Sequence, residues 1–252
     1  RPSEISSAFN QLEHFAISEI SLLSDSGVEL TWNSIHGKTY AIETSHDLIA
    51  WDVHVTALPS TGIESSYTHR LADFSLKTQQ YYRVREQPLF AESFEEGAEG
   101  WTTGIIDGLN ATGTTWEVGA PEDSGPASAF AGKNAYGTDL DADYEDDTGI
   151  YLRTPVIDLT GVGSKRLTFH HFLAVSDREG GRLNILAPDG IRIVDSLKLY
   201  VGPDGNTADW TQESIRLPDL NRSVIIEFEF LSETNGAPRN RAGWFIDEVI
   251  VD

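Results

Sequence analysis

The chain has 252 residues, 39% of them hydrophobic and 10% aromatic, enough for one large domain or two modest ones with cores of their own. It carries 40 Asp and Glu against 18 Lys and Arg, a formal net charge of −22, which argues against nucleic acid and anionic membrane surfaces as partners. With no cysteine it has no disulfide, thiolate metal site or cysteine nucleophile, and no apolar run approaches a membrane span, so no membrane insertion is expected.

The chain begins Arg1-Pro2 and contains no Met, as expected of a fragment or processed form whose export signal is gone. Residues 1–16 are weakly amphipathic, with Phe9, Leu12 and Phe15 at near-helical spacing, and are expected to form a tail or short helix. From Ile17 the pattern changes to short alternating strands. Val28, Leu30 and Trp32 share one face; Tyr40, Ile42 and Thr44 follow a turn at Gly37; Trp51, Val53 and Val55 make another set; Tyr67 to Leu71 and Tyr82 to Val84 complete the segment. Such spacing predicts a small β-sandwich over 17–88, with Trp32 and Trp51 in its core. Leu30-Thr31-Trp32, Gly37, Tyr40, Trp51 and Tyr82-Arg83-Val84 resemble fibronectin type III-like modules of large secreted bacterial proteins, which implies a spacer or docking role.

A second β-rich block runs from 89 to 252. Strands are expected over 90–95, 115–118, 150–158, 165–175, 182–187, 193–201, 210–217, 223–231 and 243–251, and helical periodicity is absent. This predicts an all-β chain whose second part is a larger sandwich of jelly-roll type. The acidity concentrates here: the net charge is −17 over 89–252 and −5 over 1–88.

The ordered set Phe94-Glu95-Glu96-Gly97, Gly100-Trp101, Trp116-Glu117-Val118-Gly119, Leu152 to Leu159, Asp209-Trp210 and Gly243-Trp244-Phe245-Ile246-Asp247 resembles the MAM-like or cleaved-adhesin-like jelly rolls appended to secreted bacterial peptidases, adhesins and glycan-active enzymes. The resemblance implies a non-catalytic role, often with structural calcium, and places a cation near Glu95 and Asp247.

The residues themselves support an interest in Asp247. Period 2 puts it on one face with Phe245, Val249 and Val251, a carboxylate among apolar neighbours that needs a cation, a hydrogen-bond cage or protonation. Glu95, from the opening strand of the block, is its expected companion around one calcium ion; the alternative is that Asp247 caps backbone N–H groups and Glu95 is solvated. A second acidic stretch, 139–147, packs six carboxylates into nine residues. Asp139, Asp141 and Asp143 begin like a calcium loop, but Tyr144 and Ile150 stand where an EF-hand needs Gly and Glu, so the choice is between a different calcium loop and a solvated acidic one. An extended 139–147 would also align a row of carboxylates as some jelly-roll glycosidases do, but no aromatic subsite pattern accompanies it, so catalysis is not expected.

Tyr136, Tyr144 and Tyr151 flank this stretch and are the candidates for an exposed ligand-binding aromatic site, whereas Trp101, Trp116, Trp210 and Trp244 are expected to pack in the core. His170 and His171 are adjacent on a strand and must face opposite ways; the other histidines are scattered, and no catalytic motif occurs. These readings combine into an expectation: a secreted or cell-surface, non-catalytic module that binds polysaccharide or an extracellular protein through loops near 104–113, 136–150 and 233–242, serving an upstream catalytic domain of the same polypeptide. A structural or adhesive tail of a peptidase, and a jelly-roll hydrolase, are the alternatives.

Overall fold

The computed structural model describes residues 16–24, 27–70, 79–111, 113–122, 125–161, 163–233 and 242–252. All but the last residue of the tail expected over 1–16, and most of the 233–242 loop, therefore lie outside the described residues. The chain divides into two compact units, Arg1–Gln87 and Pro88–Asp252. The described residues form strands, turns and loops, with no helix, and so no helix long and apolar enough to cross a membrane.

The first unit contains β1 (Ile17–Leu22), β2 (Gly27–Asn33), β3 (Thr39–Ser45), β4 (Asp52–Pro59), β5 (Glu64–Arg70) and β6 (Tyr81–Gln87). They make two three-stranded antiparallel sheets, ordered β1-β2-β5 and β4-β3-β6. Val28, Leu30, Trp32, Tyr40, Ile42 and Val84 face inward and form the core with Val55 packed against it, whereas Val53 is exposed. Trp51 departs from expectation. It is only half-buried, because it flanks the face where Glu43 pairs with Arg83 and Arg85, and the Arg83 guanidinium stacks on its ring at 4.4 Å.

The second unit contains β7 (Phe90–Glu92), β8 (Thr102–Ile105), β9 (Trp116–Gly119), β10 (Ala135–Thr138), β11 (Gly149–Arg153), β12 (Ile157–Asp158), β13 (Arg166–Ala174), β14 (Gly180–Leu186), β15 (Ile193–Val201), β16 (Thr211–Arg216), β17 (Ser223–Leu231) and β18 (Gly243–Val251). One six-stranded sheet has the order β16-β13-β18-β10-β9, with β7 on β18; the other has the order β15-β14-β17-β11-β8, with β12 on β17. Both sheets contribute to one apolar core: Leu167, Phe169, Trp244, Ile246, Val249 and Val251 from the first, Leu152, Leu183, Ile185, Ile226, Phe228 and Phe230 from the second. Each such side chain, fully buried, contributes roughly 1.5–3 kcal/mol. The all-β sandwich expected from alternation is what the chain forms.

The alternation fails at one informative place. In β18 the register against β13 slips between Thr168 and His170, and Glu248 adopts φ +50°. This is a β-bulge, and it advances the side-chain phase by one residue. Trp244 and Ile246 face the core before it, Val249 and Val251 after it. Asp247 therefore does not share a face with Val249 and Val251 as simple period 2 implied. It turns with Phe245 to the outer face of the sheet.

Candidate functional site

The outer face of the first large sheet is crossed by the segment 125–134. Gly125 runs so close to Phe245 that a Cβ there would come within 2.5 Å of the ring. Trp210 Nε1 donates to the Ser128 carbonyl at 2.9 Å, and Phe130 stacks on His170 with centroids 3.5 Å apart. This segment has no strand partner, so its N–H groups need other acceptors. Asp247 and Glu95 supply them. Ala131 N donates to Asp247 Oδ2 at 3.0 Å, while Lys133 N and Asn134 N donate to Glu95 Oε1 at 2.9 and 2.7 Å. The sequence-predicted pair thus meets on one crossing segment.

The two carboxylates differ in environment. Asp247 is 0% exposed, and burial raises its pKa to about 6 despite hydrogen bonds from Ala131 and Glu248. Glu95 is exposed, and the two backbone donors hold its carboxyl below the usual range. Capping of backbone N–H groups is thus what the structure displays at Asp247, and at Glu95 as well.

The acidic stretch is rearranged relative to expectation. Asp139 and Asp141 come together with Glu117 of β9, their ligand-capable oxygens all within 4.8 Å of one another. Asp143 is exposed and stands outside this group. Burial, then the charges of Glu117 and Asp141, raise the pKa of Asp139 to about 6. Glu117 carries no sequence signal of this grouping, because it sits on a four-residue strand between buried Trp116 and exposed Val118, 22 residues before Asp139. Its partner strand β10 turns directly into the acidic stretch and closes that gap.

The exposed tyrosine site is not formed. Tyr136 is 6% exposed, packed edge-on to Phe94, and Tyr144 is 1% exposed, edge-on to Phe230. The Tyr144 hydroxyl donates to buried Glu179 and accepts from Ser176 N, and burial pushes its pKa up to about 12. Flanking an acidic loop did not make these rings peripheral, because β10 and the approach to β11 are themselves covered by core. Tyr151 alone is half-buried. Trp101, Trp116 and Trp244 are core residues, and Trp210 is half-buried. His170 and His171 do face opposite ways: the first lies under Phe130, the second accepts from Trp244 Nε1 at 3.2 Å inside the core.

Two groupings were not legible beforehand. In the first unit His54 and His69 lie against each other with centroids 3.8 Å apart and rings tilted by 35°, each hydrogen-bonded to a tyrosine hydroxyl, Tyr67 and Tyr82 respectively. They lie on β4 and β5, strands of different sheets, so spacing along the chain carries no sign of their contact. In the second unit, the outer face of the sheet β15-β14-β17-β11-β8 holds a charged patch. Glu227 and Glu229 of β17 alternate with core residues Phe228 and Phe230 and point away from the core. Glu227 lies opposite Asn184 of β14 and Arg153 of β11; Glu229 lies opposite Arg182 and Tyr151. Arg153 Nε donates to Glu227 Oε2 at 2.6 Å, Asn184 Nδ2 to Oε1 at 3.1 Å, and Ser196 Oγ to Asn184 Oδ1 at 2.8 Å. The signal was available: a Glu-Phe-Glu-Phe run places two carboxylates on the sheet face opposite the core.

No known family profile matches the chain. It is 27% identical over 197 residues to bacillopeptidase F of Bacillus subtilis (strain 168), a match covering 75% of this chain and 13% of that protein. Among solved structures it is similar to the K1 cleaved adhesin domain of Lys-gingipain from Porphyromonas gingivalis W83, with 22% identity, TM-score 0.44, and coverage of 65% of this chain and 96% of that one. It is also similar to a structure described for carbohydrate-binding modules of the β-sandwich superfamily, with 14% identity, TM-score 0.43, and coverage of 94% and 96%.

Proposed function

We propose that this chain is a non-catalytic extracellular module that binds polysaccharide and serves a larger secreted or cell-surface enzyme. The observation that carries the reading is the charged and amide-bearing patch on the outer face of the second large sheet. A sheet face that merely meets solvent has no need to bury Glu227 and Glu229 between two arginines and an asparagine. Sugar hydroxyls are recognised by such planar donors and acceptors held rigidly beside an aromatic ring. The match to a 13% stretch of a peptidase supports an accessory role within a longer polypeptide.

Calcium belongs to the same proposal, as a structural ion. Both acidic groupings offer oxygen donors only, the set a hard cation prefers. Asp247 is a buried carboxylate whose pKa is raised by burial, so its charge is incompletely compensated by the backbone N–H donors around it. Glu95 and Asp247 would hold one ion; Glu117, Asp139 and Asp141 would hold another. Bound there, the cation would neutralise charge that the fold brings together.

The test is a glycan array probed with the chain in calcium and in chelator, paired with a reducing-end assay on the same polysaccharides. Retention of at least one polysaccharide without release of reducing ends is expected. Retention of none in either condition would replace this reading with the protein-binding, adhesive one, and reducing-end release would replace it with a hydrolase.

A further inference from the structure

Two rows of side chains cross the outer face of the second large sheet, and they differ in one respect. The first runs Ser196, Asn184, Glu227, Arg153, Thr102 across five strands; the second runs Leu199, Arg182, Glu229, Tyr151, Gly104. In the first row every carboxylate oxygen of Glu227 has a donor. In the second, Glu229 is 8% exposed and its Oε2 is enclosed without a hydrogen bond. The Arg182 guanidinium stands 3.5 Å away on a side chain that is 42% exposed. A buried acceptor without a donor is costly, and the neighbouring row shows that this sheet can satisfy a carboxylate in the same position one step along.

We propose that the second row is a subsite for one ring of a neutral polysaccharide, in which a sugar hydroxyl supplies the donor that Glu229 lacks as Arg182 turns aside to bind the ligand. The inference rests on the polysaccharide reading above and names the atoms within it. Tyr151 stands next along the row. Its phenol lies over Gly104, where a Cβ would fall 2.5 Å from the hydroxyl oxygen, so only glycine leaves room for it. The Arg153 guanidinium, itself fixed by Glu227, packs on the ring at 3.7 Å and holds it in place. The Tyr151 hydroxyl makes no hydrogen bond with a described residue and is free to meet a sugar hydroxyl. Beyond Arg182, Leu199 is exposed and offers apolar surface for sugar C–H groups.

The charge balance selects the ligand class. Arg153 and Arg182 are matched by Glu227 and Glu229, so the patch presents no net positive charge to a uronate or sulfate. The surrounding unit carries a net charge of −17 and repels polyanions at moderate salt. A neutral chain meets neither penalty. Burial, then the nearby Glu227 charge, raise the pKa of Glu229, although a hydrogen bond from Asn184 and the charges of Arg182 and Arg153 oppose the shift.

The test measures affinity of the whole chain by gel retardation in soluble xylan, β-glucan and galactan, with polygalacturonate as the anionic arm. Glu229→Gln replaces one acceptor by a donor at constant size, and Tyr151→Phe removes a single oxygen. The neutral polysaccharide held best by the unaltered chain is expected to bind about tenfold more weakly to Glu229→Gln and about threefold more weakly to Tyr151→Phe. Gly104→Ala, which displaces the phenol, should weaken binding at least as much as Tyr151→Phe. Equal retention of a neutral polysaccharide by all forms overturns the subsite and leaves the binding-module reading intact. Preference for polygalacturonate overturns the neutral assignment, and retention of nothing removes both. If Glu229→Gln proves misfolded by circular dichroism, Tyr151→Phe decides.

Discussion

His171 shows how one side chain sets the acid response of the second unit. It is 2% exposed, and burial is the main reason its pKa falls to about 4; the Glu213 carboxylate, 3.7 Å from Nε2, opposes that shift only partly. Because Trp244 Nε1 donates to Nδ1, the neutral ring carries its proton on Nε2, toward Glu213. The folded chain binds this proton less readily than the unfolded chain, so stability is full above pH 6.5 and falls as the pH drops toward 4, by about 3 kcal/mol in all. Asp247 acts in the opposite sense. Its pKa of about 6 means that the folded chain takes up a proton sooner than the unfolded one, and the fold gains as pH falls from 6 toward 3.8. Asp139, also raised to about 6, acts in the same sense as Asp247, so the wild-type curve alone does not isolate His171. His171→Asn keeps an acceptor for Trp244 but does not titrate. Urea unfolding in EDTA should show the stability advantage of wild type over this variant shrinking by about 3 kcal/mol between pH 7 and pH 4. Parallel curves would mean that His171 ionises as freely in the fold as outside it.

At the level of elements, the decisive pieces are the bulge in β18 and the segment that crosses its outer face. The bulge lets one strand serve two layers: four large apolar residues in the sandwich core, and Phe245 with Asp247 beneath the 125–134 crossing. Gly125 has φ +92° and lies against the Phe245 ring, so Gly125→Ala combines backbone strain with overpacking. It should destabilise the chain by about 2–3 kcal/mol in urea unfolding, and a change below about 0.5 kcal/mol would show that the crossing segment is not packed as described. These elements also mark the limit of sequence reading. The nine-residue strands β13, β17 and β18 are legible as strands because their apolar runs are long, although the bulge in β18 hides the face of Asp247. The four-residue β8 and β10 were not, since Thr-Thr-Gly-Ile and Ala-Tyr-Gly-Thr carry too few periods to show a pattern. Asp247 and Glu95 were picked out as a pair, but the phase of Asp247 was misjudged because nothing in Trp-Phe-Ile-Asp-Glu-Val announces a bulge. Tyr136 and Tyr144 were misplaced for a related reason: nearness in sequence to charge does not decide burial. Glu227 and Glu229 leave a weaker trace than the dense run at 139–147, being two carboxylates set alternately in an apolar strand.

For the whole molecule the governing quantity is charge. A net of −22 in 252 residues makes the folded state self-repelling, most strongly in the second unit. Any salt relieves this by screening, so a rise in melting temperature with added calcium chloride says nothing by itself about a site. The distinguishing comparison is calcium chloride against sodium chloride at matched ionic strength, with magnesium chloride as a second divalent control. A calcium site of the affinity typical of extracellular modules, with Kd near 10⁻⁴–10⁻³ M, would be occupied ten- to a hundredfold above half-saturation at about 10 mM. Mass action then adds about 1.4–2.7 kcal/mol, or about 3–11 °C in melting temperature, beyond the sodium curve. Magnesium should add less, because the paired carboxylates and backbone groups do not make the compact octahedron that it requires. Variants assign the effect. If the excess is lost in Asp247→Asn, the ion holds the crossing segment to the sheet; if it is lost in Asp139→Asn, the ion joins β9 to the acidic stretch after β10. Coincident calcium and sodium curves at equal ionic strength would remove the structural ion altogether. The Glu117, Asp139 and Asp141 group would then be a repulsive surface feature relieved by protonation of Asp139, and Asp247 a carboxylate retained for the N–H groups it accepts from.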